Sequence, residues 1–218
     1  RADRLALVRQ AMAAKGADVH LVSTLDDLAW IFNLRGADVS YNPVFLGHAL
    51  IGPDHATLFV AEGKIDAALQ AVLAADGVQV AAYDQVAEAL GSLQGDQTLL
   101  IDPARVTCGV FHAMDPATPR VEAINPSTLL KSRKSDAELA HVREAMAQDG
   151  AALCEFFAWF EAAQGRETIT ELTIDAQITA ARARRPGYVS PSFATIAGFN
   201  ANGAMPHYRA TEAAHAVI

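Results

Sequence analysis

The sequence has little cysteine, no dense block of lysine and arginine, and no apolar run long enough for a membrane. Each shortage excludes something. Cys108 and Cys154 are the only cysteines and match no zinc-ligand spacing, so two reduced, buried thiols are expected. The net charge is −8 and the pI near 5.3, and without a basic block a nucleic-acid surface is not expected. No stretch approaches the roughly 18 consecutive apolar residues of a membrane helix, so no membrane partner is expected. The opening RADRLALVRQ is amphipathic and charged, unlike a signal peptide. The compact catalytic motifs are missing too: H-E-x-x-H, G-x-S-x-G, G-x-G-x-x-G and G-x-x-x-x-G-K-[ST]. Asp26 and Asp27 stand at a helix start and read as partners of the helix dipole, not as an acid/base pair.

What is present is a sizeable apolar fraction, 51% of 218 residues. That is enough for one complete domain and part of another. Helix and strand signals alternate over the first half, the pattern of an α/β domain. ADRLALVRQAMAAKG puts Leu5, Val8 and Met12 on one helical face. ADVHLVST reads as a strand, and LDDLAWIFNLRG as a helix closing at Gly36. Two strands follow, joined by a turn around Gly52, Pro53 and Asp54. Then come helix KIDAALQAVLAADG, strand VQVAAYD, helix QVAEALGSL and strand TLLIDP. His112 is expected in an irregular stretch.

INPSTLLKSRKSDAEL marks the boundary, and its Lys131, Arg133 and Lys134 read as a solvated linker face. We place the domains at 1–127 and 128–218. Ser135 and Glu138 form a capping-box pattern opening a long helix from about Asp136 to Ala163. Leu139, Val142, Met146, Leu153, Phe156, Phe157 and Phe160 are expected to be its buried stripe. TELTIDAQITAARARR predicts a second helix capped by Thr170 and ending before Pro186. SFATIAGFNANGAMPHYRAT predicts a hairpin turning at Asn202-Gly203, with Met205, His207 and Arg209 on one face of a strand. His207, beside that turn, ranks first among the histidines. His20, His48, His55, His112, His141 and His215 read as structural or surface residues.

Three stretches carry a resemblance. LDDLAWIFNLRGADVSYNPVF resembles the middle domain of three-domain Xaa-Pro aminopeptidases. KSDAELAHVREAMAQDGAALCEFFAWFE resembles the opening helix of their catalytic domain, and YVSPSFATIAGFNANGAMPHYRAT the segment leading into their active site. The resemblance implies a creatinase-like α/β domain followed by an incomplete α+β pita-bread catalytic domain. It implies that His207, in G-A-M-P-H-Y, serves catalysis through substrate binding and proton transfer. It implies two divalent metal ions, manganese by expectation, in the parent protein, held by residues downstream of Ile218, with none bound to residues 1–218. Arg1 is not a usual start, so both ends are expected to be cut and the family's first domain to be missing. The implied protein is a cytoplasmic homodimer acting on proline-containing peptides, and the 218 residues alone are expected to be inactive. Two other readings stay open: a prolidase or creatinase-like hydrolase on the same fold, and a non-catalytic pita-bread binding module.

Overall fold

The computed structural model describes residues 1–93 and 95–218. It divides into two compact units, one of Arg1–Val39 with Pro43–Arg133 and one of Ser40–Asn42 with Lys134–Ile218.

The first unit is built on a six-stranded mixed sheet. Its strands are β1 (Val19–Val22), β2 (Gly47–Ile51), β3 (Ala56–Val60), β4 (Val78–Ala82), β5 (Leu99–Ile101) and β6 (Arg120–Glu122). They lie in the order β4-β3-β2-β1-β5-β6. β2 runs antiparallel to both β1 and β3, and the remaining pairs are parallel. Consecutive buried residues such as Leu99, Leu100 and Ile101 go to alternate faces of the sheet, because successive side chains leave a pleat on opposite sides. Val22, Ala49, Ile51, Leu58 and Leu100 join one core with α1 (Ala2–Ala13), α2 (Leu25–Phe32) and α3 (Ala67–Ala75). Val19, Leu21, Leu50, Phe59, Leu99 and Ile101 join the other, with α4 (Val86–Gly91). A sheet covered on both faces needs strands apolar throughout, which is how TLLI and ALI read.

Several expectations change here. α2 stops at Phe32, not at Gly36, because Asn33 turns left-handed at φ 51°. Gly36 is needed for another reason: a Cβ there would lie 2.7 Å from the Cβ of Phe45. His112 closes a short helix, α5 (Cys108–His112), and β6 is a strand that the sequence reading missed. Cys108 and Cys154 are free but exposed, not buried.

Lys131, on α6 (Pro126–Ser132), is not a solvated linker residue. Its ammonium pairs with Asp26 and, at 2.8 Å, with Asp27. Asp27 is 1% exposed and therefore more than a dipole partner. It also accepts from the Thr24 hydroxyl and from Asn125 Nδ2 at 3.1 Å. The Asn125 amide N–H donates to Asp102, beyond β5, at 3.2 Å. Burial alone would raise the Asp27 pKa, but the hydrogen bonds from Lys131, Thr24 and Asn125 outweigh it and lower it.

The second unit is dominated by α7 (Asp136–Ala163), which begins with the Ser135–Glu138 capping box, and α8 (Glu171–Ala183), capped by Thr170. Arg182 and Asp149 tie the pair at 2.6 Å, and Arg184 meets Glu155 at 2.9 Å. The expected buried stripe of α7 is largely open. Leu139, Val142, Met146 and Phe157 are 37%, 50%, 61% and 55% exposed, while Ala152 and Ala163 are buried. Length explains this. At about 1.5 Å per residue α7 runs about 42 Å and α8 about 20 Å, so α8 covers only part of one side. Phe156, Trp159 and Phe160 instead pack on one another, with ring centroids 5.8–6.3 Å apart.

Candidate active site

The segment carrying His207 is not a hairpin. Residues Asn200–Ala204 form a 3₁₀ turn, and Pro206 and His207 sit in the tight turn after it. No facing strand pairs with them among the described residues. Two features draw the chain into this shape. Gly198 approaches Gly203 so closely that a Cβ on Gly198 would stand 2.9 Å from the Gly203 nitrogen. Asn200 adopts a left-handed φ of 49°, which asparagine tolerates better than most residues. Met205, His207 and Arg209 therefore do not share a strand face.

The third feature is Glu171, the first residue of α8. Thr170 caps that helix, its hydroxyl accepting from the Thr173 amide at 3.1 Å. The cap leaves the Glu171 side chain at the start of the helix, directed at the loop. Oε1 accepts from the Phe199 amide at 2.6 Å and from Asn202 Nδ2 at 3.1 Å. Oε2 accepts from the Tyr208 hydroxyl at 2.6 Å, the Ala216 amide at 2.7 Å and Asn202 Nδ2 at 3.2 Å. In return the Glu171 amide donates to the Ala216 carbonyl at 3.1 Å. The Asn202 amide, expected at a hairpin turn, is thus spent on the carboxylate and on the Tyr208 oxygen, 3.0 Å away.

Burial would raise the Glu171 pKa, but the Tyr208, Phe199, Ala216 and Asn202 hydrogen bonds prevail and bring it down to about 2. The same bond to Glu171 raises the Tyr208 pKa. A carboxylate has about four acceptor sites, and four donor groups occupy them here. Glu171 is an ionised anchor, not a free base.

His207 is exposed and makes no hydrogen bond among the described residues. Its imidazole can meet an incoming ligand as donor or acceptor. The structure brings it next to Tyr208 and so to the Glu171 cluster. The sequence reading missed Glu171, Asn202 and Tyr208 as a group. The only local signal was the Thr-Glu pair at a capped helix start, which marks a helix end and says nothing of a partner 37 residues away. Among the described residues no three His, Cys, Asp or Glu side chains come together to hold a metal ion.

Residues 1–138 match the creatinase/prolidase N-terminal domain. The chain belongs to that family. Residues 140–216 match metallopeptidase family M24. The fold is a creatinase-like α/β domain followed by part of an M24 pita-bread domain. Xaa-Pro aminopeptidase 1 of Dictyostelium discoideum is 34% identical over 221 residues, covering 99% of this chain and 35% of that protein. Xaa-Pro aminopeptidase ApepP of Drosophila melanogaster is 31% identical over 206 residues, covering 93% of this chain and 33% of its own. The creatinase/prolidase chain thus spans about a third of the length of the curated relatives it matches. Among solved structures, X-prolyl aminopeptidase from Caenorhabditis elegans, described as a cytosolic enzyme with a di-nuclear active site, superposes with a TM-score of 0.87. It is 23% identical over 95% of this chain and 35% of that one. Xaa-Pro dipeptidase from Bacillus anthracis superposes with a TM-score of 0.62 at 16% identity, over 84% of this chain and 49% of that one.

Proposed function

We propose that the parent protein is a metal-dependent Xaa-Pro aminopeptidase. It removes the N-terminal residue from peptides with proline in second position. The observation that carries this reading is the match to proteins named Xaa-Pro aminopeptidase at 31–34% identity, spanning 93–100% of this chain. In this reading the two divalent ions, manganese by preference, are held by residues outside 1–218. The enzyme works in the cytosol. Compatible with that, no helix among the described residues is long and apolar enough to cross a membrane.

The bond before proline is a tertiary amide with no N–H, so strand-like pairing cannot recognise it from that side. The substrate must be held by its carbonyl, its free amine and the proline ring. His207 is the group of this chain assigned to that task. An exposed imidazole on a tight turn can donate a hydrogen bond to the scissile carbonyl as charge develops on its oxygen. It can also pass a proton to the departing proline nitrogen. Loss of one such donor raises the barrier by roughly 3 kcal/mol.

The test is release of free arginine from an Arg-Pro-Pro peptide by the full-length protein, with manganese and then with chelator. Metal-dependent release is expected, with His207→Ala slower by about 10²–10³-fold in kcat. Full activity of His207→Ala would remove the role assigned to that residue. No release by a folded protein would sink the peptidase reading and favour a non-catalytic binding module.

A further inference from the structure

His207 has no hydrogen bond of its own among the described residues, yet the backbone around it is pinned on both sides. The pins converge on one group. Phe199 and Asn202 lie before His207 in the chain, Tyr208 and Ala216 after it, and all four donate to Glu171 at 2.6–3.2 Å. Glu171 itself has no exposed surface. Its place at the capped start of α8 gives it a rigid base, because the helix backbone cannot swing with the loop. The Tyr208 hydroxyl is held twice, donating to Glu171 and accepting from Asn202. Tyr208 is the neighbour of His207, so the Tyr208 ring fixes the direction in which the preceding residue leaves the turn. The remaining joint is closed by the Tyr208 amide, which donates to the Met205 carbonyl at 3.2 Å.

We propose that Glu171 is the positioning residue of this site: through Tyr208 and Asn202, its carboxylate fixes the turn that presents His207 to the peptide. The inference rests on the aminopeptidase reading for its activity arm and on geometry alone for its structural arm. Glu171 does not touch the substrate and exchanges no proton, because its acceptor sites are already filled. Two variants probe it. Glu171→Gln keeps the shape but replaces one acceptor oxygen with an NH2 that faces existing donors. Tyr208→Phe removes a single hydroxyl and leaves the carboxylate, so it keeps the idea testable if Glu171→Gln folds poorly.

The experiment measures kcat and KM of the full-length protein on Arg-Pro-Pro with manganese. Beside it, circular dichroism reports the folded fraction and the His207 imidazole NMR signal, identified by its absence in His207→Ala, reports the turn. A misplacement near 1 Å costs about 10²-fold, so Glu171→Gln is expected to lose about 10²-fold in kcat and Tyr208→Phe about 10-fold. KM should stay within about threefold in both, since ground-state binding and transition-state placement separate in this way. The His207 signal should shift in both. Unchanged kcat in both variants overturns the proposal, as does a loss that merely follows the folded fraction. If the wild type releases no arginine, the peptidase reading fails by itself. The His207 signal then decides: unchanged in Glu171→Gln, it overturns the positioning role, and shifted, it upholds it.

Discussion

Acidification should weaken the first unit through one buried histidine, His20 on β1. Its Nδ1 lies 3.0 Å from the Leu100 carbonyl oxygen, which can only accept, so Nδ1 carries the proton. Nε2 is buried with no hydrogen-bond partner among the described residues. Protonating it would place a charge in the core, and this desolvation lowers the pKa to about 4. The hydrogen bond to Leu100 and the nearby Asp27 and Asp102 carboxylates pull the other way and lose. The folded state therefore binds this proton less readily than the unfolded chain, where the value is 6.5. The stability His20 contributes is fully present above pH 6.5 and drains away as the pH falls toward 4. The gap, at about 1.4 kcal/mol per pH unit, amounts to about 3 kcal/mol by pH 4. Urea unfolding followed by tryptophan fluorescence at several pH values between 7 and 4 measures it. His20→Leu cannot titrate, so its stability should fall by about 3 kcal/mol less than that of the wild type over the same range. Parallel curves for the two proteins would refute the reasoning and make other groups responsible for the acid sensitivity.

Three further outcomes are expected. Lys131→Met leaves the buried Asp27 with only its Thr24 and Asn125 donors and should lower unfolding free energy by about 3 kcal/mol, read from urea midpoints. Gly36→Ala drives a Cβ to 2.7 Å from that of Phe45 and 3.1 Å from the Val44 carbonyl. It should cost about 1–3 kcal/mol by the same assay, and an unchanged midpoint would show that the loop yields freely. Cys108 and Cys154, both exposed, should each react with a thiol reagent in native buffer, and protection of either until denaturant is added would contradict the exposure.

Much of this fold is written in short-range signals. The short apolar runs of β1, β2, β3 and β5 are local signals, and those strands lie in its sheet. The Ser135–Glu138 box and the Thr170 cap are local hydrogen bonds, so they too could be read residue by residue. β6, with one apolar residue in RVE, and five-residue α5, too short for a helical period, were not legible, whereas the unbroken apolar LLI of β5 was. The predicted turn beside it ranked His207 first among the histidines, and the resemblance supplied its role. What only the tertiary structure decided are the partners that meet from far along the chain. Lys131 reads as a linker charge until Asp27 stands 2.8 Å away across 104 residues. The apolar stripe of α7 looks like core until the shorter α8 leaves it open. Asn202-Gly203 is a hairpin signal until a buried carboxylate 31 residues earlier claims the asparagine. The physical reason is the same in each case. Local propensities amount to fractions of a kcal/mol per residue, whereas a buried charge left without donors costs several, so the long-range partner determines the local shape.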